Sequence, residues 1–283
     1  MLISVAVFAV MDATMKYLGQ SYPPLQVAAL RGAASLPFIA LLAAVGNRWG
    51  DLRPRRWPMH IVRGLLAVLM LGLFVFSLRS LSLASAYVIV LCAPLLIAAL
   101  SVWLLGERVD WRSWIAIAVG LLGVSVMLRP QAGEMISWGA LAALASAVCY
   151  AFAAILIRKL SQTETTVSVT FSFFAIIACV AGALAWPQWI DVQLAHWPWI
   201  FALGLSGAVG QYFIVEAFRH APASVAAPFE YTALLWAGLL DWILWQTTPH
   251  GRTLLGGGIV AATGLYLIYS ARDNALAQDA NTP

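Results

Sequence analysis

Residues 82–109 read SLASAYVIVLCAPLLIAALSVWLLGERV: more than twenty residues without a charge, Pro94 in the middle, and Gly106-Glu107-Arg108 at the end. About twenty apolar residues are what an α-helix needs to cross the hydrocarbon core of a bilayer. A near-copy follows at 223–248, ASVAAPFEYTALLWAGLLDWILWQTT. It again opens on Ala-Ser, carries Pro228, and places Trp242 where the first stretch has Trp103, since 223 − 84 and 242 − 103 are both 139. The chain is therefore written twice, and its function is expected to lie between the copies.

Working outward, the same kind of apolar run recurs at 1–18, 24–46, 60–79, 82–105, 111–129, 137–158, 166–186, 197–218, 224–246 and 252–270, ten spans joined by short loops. The composition agrees: 62% of the 283 residues are hydrophobic and 10% charged, with mean hydropathy +0.87, far from the roughly one-quarter charged residues of a soluble domain. No segment alternates in polarity as barrel strands do. The predicted fold class is all-α and integral to the membrane. Five spans per copy is an odd number, so the second copy enters from the opposite side. The expected architecture is ten transmembrane helices as two inverted five-helix repeats around a central cavity. The repeats are 1–130 and 131–272, followed by a short tail at 273–283. Inverted repeats with a midplane site recur in secondary transporters, because the halves can exchange conformations and open to each side in turn.

The net charge of +4 does not point to nucleic acid, because the basic residues mark one membrane face. With the N-terminus in the cytoplasm, that side holds Arg48, Arg53, Arg55, Arg56, Arg63, Arg108, Arg112, Arg158, Lys159, Arg219 and Arg272, eleven of the sixteen. Lys16, Arg79, Arg129 and Arg252 fall on the other side, and Arg31 within a span. The positive-inside rule then places both termini of this multi-pass protein in the cytoplasm. The first run begins at Met1 without a basic flank, which reads as a trimmed or late start. Cys92, Cys149 and Cys179 lie in spans far apart, with no disulfide frame or metal spacing. No phosphate-binding GxxxxGK[ST] loop is present, and the four histidines show no HExxH or other metal spacing, so no cofactor is expected and enzymatic chemistry has no visible nucleophile or metal cluster.

Charges inside spans are expensive and mark function or tight pairing. Asp12 lies about seven residues before the turn at 19–23 and Arg31 about seven after Pro24, which puts both about 10 Å below the outer surface. They are expected to form a structural charge pair. Glu230 and Asp241, eleven residues apart, share one helical face about 16 Å apart end to end. With Glu216, they are the candidate proton or charge sites. Pro94 and Pro228 each remove a backbone donor, freeing the carbonyls of Val90 and Ser224. Such breaks are tolerated where protein or a water-filled cavity satisfies the carbonyl. The candidate substrate cavity is therefore lined by Tyr87, Leu91, Pro94, Pro228, Glu230, Tyr231 and the mid-span Trp236. Gly120 and Gly123 in the fifth span and Gly256, Gly257, Gly258 and Gly264 in the tenth should let those helices approach closely. The loop 47–60, NRWGDLRPRRWPMH, is the most basic segment and reads as an anchor on anionic lipid, with phosphate recognition as the alternative.

The stretch FRHAPASVAAPFEYTALLWAGLLDWILWQTTP, together with ASAYVIVLCAPLLIAALSVWLLGERV before it, resembles the paired repeats of the drug/metabolite transporter superfamily, EamA type. Lys16 and Arg31 in LRGAAS also match that pattern. The resemblance covers nearly all of the chain and implies efflux of small metabolites from bacterial cytoplasm. Within the family the chain looks most like the amino-acid exporters, the YddG-type exporters of aromatic amino acids among them. It departs from the family at the end of the ninth span, where Trp245-Gln246 stands in place of a second Gly-Glu, so Glu107 is expected to be structural. The function read from the sequence is a secondary exporter of amino acids, aromatic ones favoured, or similar small metabolites. Its partners are a small-molecule substrate and membrane lipid, not nucleic acid. Two alternatives stand beside it: an exporter of cationic drugs and quaternary ammonium compounds, with Glu230 holding the cation, and a membrane enzyme or scaffold acting through the basic 47–60 loop.

Overall fold

Long apolar runs without helix breakers form helices in which every backbone group is bonded within the segment, as a bilayer demands. The computed structural model describes residues 1–46, 49–77, 80–81, 83–107, 109–128, 137–236, 239, 243, 251, 255–263 and 266, and among these no strand occurs. The helices are α1 (Leu2–Leu18), α2 (Pro24–Val45), α3 (Trp57–Ser77), α4 (Leu83–Val90), α5 (Ala93–Leu100), α6 (Trp111–Leu128), α7 (Trp138–Ser161), α8 (Thr166–Ala185), α9 (Trp197–His220) and the short α10 (Ala223–Ala226). Among the described residues, six segments are long and apolar enough to cross a membrane: Pro24–Val45, Trp57–Ser77, Ala86–Leu105, Trp138–Ser161, Thr166–Gln188 and Leu194–His220. Trp111–Val126 is a shorter apolar helix. The protein is thus all-helical and multi-pass.

The prolines act where the sequence places them. Pro94 sits in the first turn of α5, and the span is interrupted at Leu91-Cys92, where Leu91 N–H still reaches the Tyr87 carbonyl at 2.8 Å. Beyond α5 the chain widens into a π-helical turn, Ser101–Leu105, closed by Gly106 at φ 68°. In the matching span, Pro228 tightens the backbone after α10 into a 3-10 helix, Ala227–Thr232, and residues 233–236 are helical again. Pro37, by contrast, lies inside an unbroken α2.

The chain divides into two compact units, one made of Met1–Gly72 and Phe152–His220, the other of Leu73–Ala151 and Ala221–Pro283. In the first, α2 packs along α8 and α9, and α1 along α9. Lipid tails are as apolar as the helices, so association depends on close fit. A Cβ on Gly32 would stand 2.7 Å from the Ala178 backbone nitrogen, and Ala28, Ala29 and Ala181 continue that small-residue seam with Ile177. Polar side chains stitch the ends: Gln26 exchanges both amide bonds with the backbone of Ile190, and the Tyr22 hydroxyl meets His196 Nδ1 at 2.7 Å.

In the second unit, Val88, Ala98, Ile117, Val124, Tyr231 and Val260 form the core. Gly123 brings its helix against residue 256, where an added Cβ would lie 3.0 Å from the Gly256 carbonyl oxygen, the close approach expected of the two glycine-rich spans. Glu107, just past the Gly106 turn, accepts the Ala223 N–H at 3.0 Å and, at 3.4 Å, the N–H and hydroxyl of Ser224. The end of the first quoted stretch is thereby tied to the start of its copy, which is the helix-end role expected of Glu107.

Candidate functional site

Two groups of in-span charges stand out, one in each unit. In the first unit Asp12 follows Phe8 by one helical turn on α1, so the two share a face. The Arg31 guanidinium carbon on α2 lies 5.7 Å from the Phe8 ring centre and 6.0 Å from that of Phe174 on α8. Aromatic faces attract a guanidinium and hold it in one plane. Arg31 Nε is buried with no hydrogen-bond partner. Asp12 is exposed, and its charge bears on Arg31. The Arg31 guanidinium therefore lies beside two phenyl rings, and no hydrogen bond or ion pair between it and Asp12 is among the contacts of the described residues.

In the second unit Glu230 accepts a 2.8 Å hydrogen bond from the Tyr150 hydroxyl on α7. The neighbouring Tyr231 is 1% exposed and its hydroxyl is buried without a partner. Its ring fills the space a side chain at Gly120 would occupy. Pro94 and Pro228 are buried, and Leu91 packs against the same cluster as Tyr231. Tyr87, at 41% exposure, stands edge-on to Phe74 with centroids 5.5 Å apart, and Trp236 is 36% exposed. The structure therefore gathers Leu91, Pro94, Pro228 and Tyr231 into the interior of this unit and leaves Tyr87 and Trp236 open. Asp241 lies outside the described residues.

Glu216 belongs to a different environment, the helix-end cluster of the first unit. It accepts the Thr166 hydroxyl, and His220 Nδ1 stands 3.3 Å from its Oε2. Nearby, Arg158 donates to the Phe218 and Arg219 carbonyls at 2.6 and 2.9 Å, capping the end of α9. Glu164 is the centre of this region. Its Oε1 accepts the backbone N–H groups of Arg55 and Arg56, and its Oε2 meets His60 Nε2 at 2.9 Å and the Ser168 hydroxyl at 3.0 Å. Burial alone would raise its pKa, but these donors, His60 first, outweigh burial and hold the carboxyl below its usual value of 4.5.

Sequence reasoning missed Phe8, Phe174, Tyr150, His60 and Glu164. Phe8 had a signal, its spacing of four from Asp12; the Tyr150 hydroxyl, in the middle of an apolar span, had a weaker one. Glu164 had little, since of its donors only Ser168 is local, and Arg55, Arg56 and His60 are more than a hundred residues away. Among the described residues no cluster of three or more His, Cys, Asp or Glu side chains is placed to hold a metal ion.

The model of the EamA-like transporter family matches residues 1–129 and 137–270. The pseudopaline exporter CntI of Pseudomonas aeruginosa is 28% identical over 261 residues, 92% of this chain and 91% of that protein. The S-adenosylmethionine uptake transporter of Rickettsia prowazekii is 26% identical, over 96% and 92%. The riboflavin transporter of Rhizobium johnstonii is 28% identical, over 83% and 76%. A solved crystal structure covering 95% of both chains superposes with a TM-score of 0.80 at 20% identity, so the fold is shared.

Proposed function

The chain belongs to the EamA-like transporter family, a family of small-molecule transporters, and from that premise we propose that it exports amino acids, aromatic ones foremost, or similar small zwitterions across the bacterial inner membrane by alternating access. The reading takes ten spans as two inverted five-helix repeats, 1–130 and 131–272, with both termini in the cytoplasm. The observation that carries it is the Asp12 and Arg31 arrangement: opposite charges inside the spans, flanked by two phenyl rings, with Arg31 Nε unbonded. A lone charge at mid-membrane costs about 2.5–3.5 kcal/mol on insertion scales. A zwitterion answers both charges at once. Its carboxylate meets the guanidinium fork, its ammonium meets Asp12, and an aromatic side chain finds Phe8 and Phe174. Relatives named as transporters of pseudopaline, S-adenosylmethionine and riboflavin support a small organic solute as cargo.

The test uses purified protein in liposomes with labelled phenylalanine and two analogues, one lacking the carboxylate and one lacking the ammonium group. Counterflow of phenylalanine alone is expected, with loss of transport in Arg31→Gln and Asp12→Asn. Silence across the whole amino-acid set would sink the proposal. Transport of quaternary ammonium compounds that disappears in Glu230→Gln would favour the cationic-drug reading instead.

A further inference from the structure

The basic loop adjoins a polar pocket of about 220 Å³, lined by Arg53, Arg55 and Arg219 and by the first turn of α8. Nothing in substrate translocation requires it, and we infer that it is a binding site for an anionic phosphate group. Charge and fixed geometry support this. Of the two acids that line the pocket, Asp51 and Glu164, Glu164 already has two donors on each oxygen, and its side chain is 1% exposed. Its charge is answered from within, so the remaining charged side chains of the lining are three arginines and one carboxylate, Asp51. Arg219 is held in place: Nη2 donates to the Glu164 carbonyl at 2.6 Å, while its buried Nε has no partner. A planar guanidinium presents paired donors that match the oxygens of a phosphate. Arg53 and Arg55 are exposed and free to swing onto the same anion.

The same loop carries exposed Trp49, next in sequence to the pocket-lining Gly50, and exposed Trp57, residues of the kind that settle at the membrane–water interface. The phosphate can therefore come from two sources, the headgroup of an anionic phospholipid or a free phosphate ion, and both offer the same chemistry to the three arginines.

Delipidated protein in neutral detergent is titrated with inorganic phosphate by calorimetry, and separately with phosphatidylglycerol and phosphatidylcholine by native mass spectrometry. Wild type and the Arg53→Gln/Arg55→Gln double variant are compared. That variant keeps the backbone bonds to Glu164, so it folds, whereas Arg219→Gln also removes the tie to the Glu164 carbonyl and is read only alongside it. Saturable phosphate binding, or retention of phosphatidylglycerol over phosphatidylcholine, weakened about tenfold or more in the double variant, supports the site. The first outcome identifies a soluble ion and the second a headgroup. Absence of both phosphate binding and a preference for phosphatidylglycerol, or equal binding by the double variant, overturns it.

Discussion

Glu164 shows how much one carboxylate can organise. Its pKa is depressed in the folded protein, so its contribution to stability is present in full above the unfolded value of about 4.5 and is lost as pH falls through the lower folded value. Hydrogen bonds to charged groups contribute about 1.5–3 kcal/mol each when a partner is lost, so Glu164→Gln should lower stability by about 2 kcal/mol at neutral pH and flatten the acid limb. Thermal unfolding of wild type and variant in detergent between pH 3 and 7 checks both. Glu230 calls for a different pair of substitutions. Glu230→Gln keeps an acceptor for Tyr150 but cannot carry a proton, so it should fold normally while transport loses its response to an imposed pH gradient. Tyr150→Phe removes the donor and should retain that response. Liposome flux with and without the gradient separates the two. At this scale the sequence showed which residues are charged within apolar runs, Asp12, Arg31 and Glu230 among them. It did not show their neighbours. The Tyr150 partner of Glu230 is 80 positions away, and no local periodicity records such a contact.

Among the elements, the proline-broken spans were the most legible, because a missing backbone donor acts locally wherever the fold takes it. The interruption at Leu91-Cys92 and the 3-10 segment after Ala226 follow directly. The π-helical turn before Gly106 was not legible, since one extra residue per turn leaves the apolar pattern unchanged. Gly106 closes that turn in the left-handed region, where a Cβ costs about 1–2 kcal/mol. Gly106→Ala should destabilise by that amount, and should also loosen the Glu107 bonds to residues 223 and 224, seen as faster amide exchange there. A larger effect is expected at Gly120. Leucine there needs the space held by the buried Tyr231 ring, and overpacking of this kind costs typically 1–3 kcal/mol. The readout is the unfolding midpoint, with Gly50→Leu, where an added Cβ meets nothing within 4 Å, as the control.

For the whole molecule, the near-copy at an offset of 139 positions made the doubling visible, while the assembly of its parts was not. Each compact unit draws helices from both halves of the chain: Met1–Gly72 finds its packing partners in Phe152–His220. Pairing across such separations leaves no periodic trace. It does have a consequence for folding, because α2 has nothing to seat its small-residue seam until α8 and α9 exist. Residues 1–136 expressed alone should therefore be degraded, and co-expression with 137–283 should rescue both pieces, as followed by membrane-fraction immunoblotting. A transporter built from two identical inverted halves would be degenerate, resting equally in its two access states. Glu107 lifts that degeneracy in the reading proposed above. Its carboxylate binds the opening residues of the second stretch, whereas the corresponding end of the copy carries the uncharged Gln246. A charge-assisted tie of about 1.5–3 kcal/mol, of a kind that an uncharged glutamine cannot supply, would under that reading amount to a preference of about ten- to a hundredfold between the access states. On that reading, a direction of rest is set before any gradient is applied.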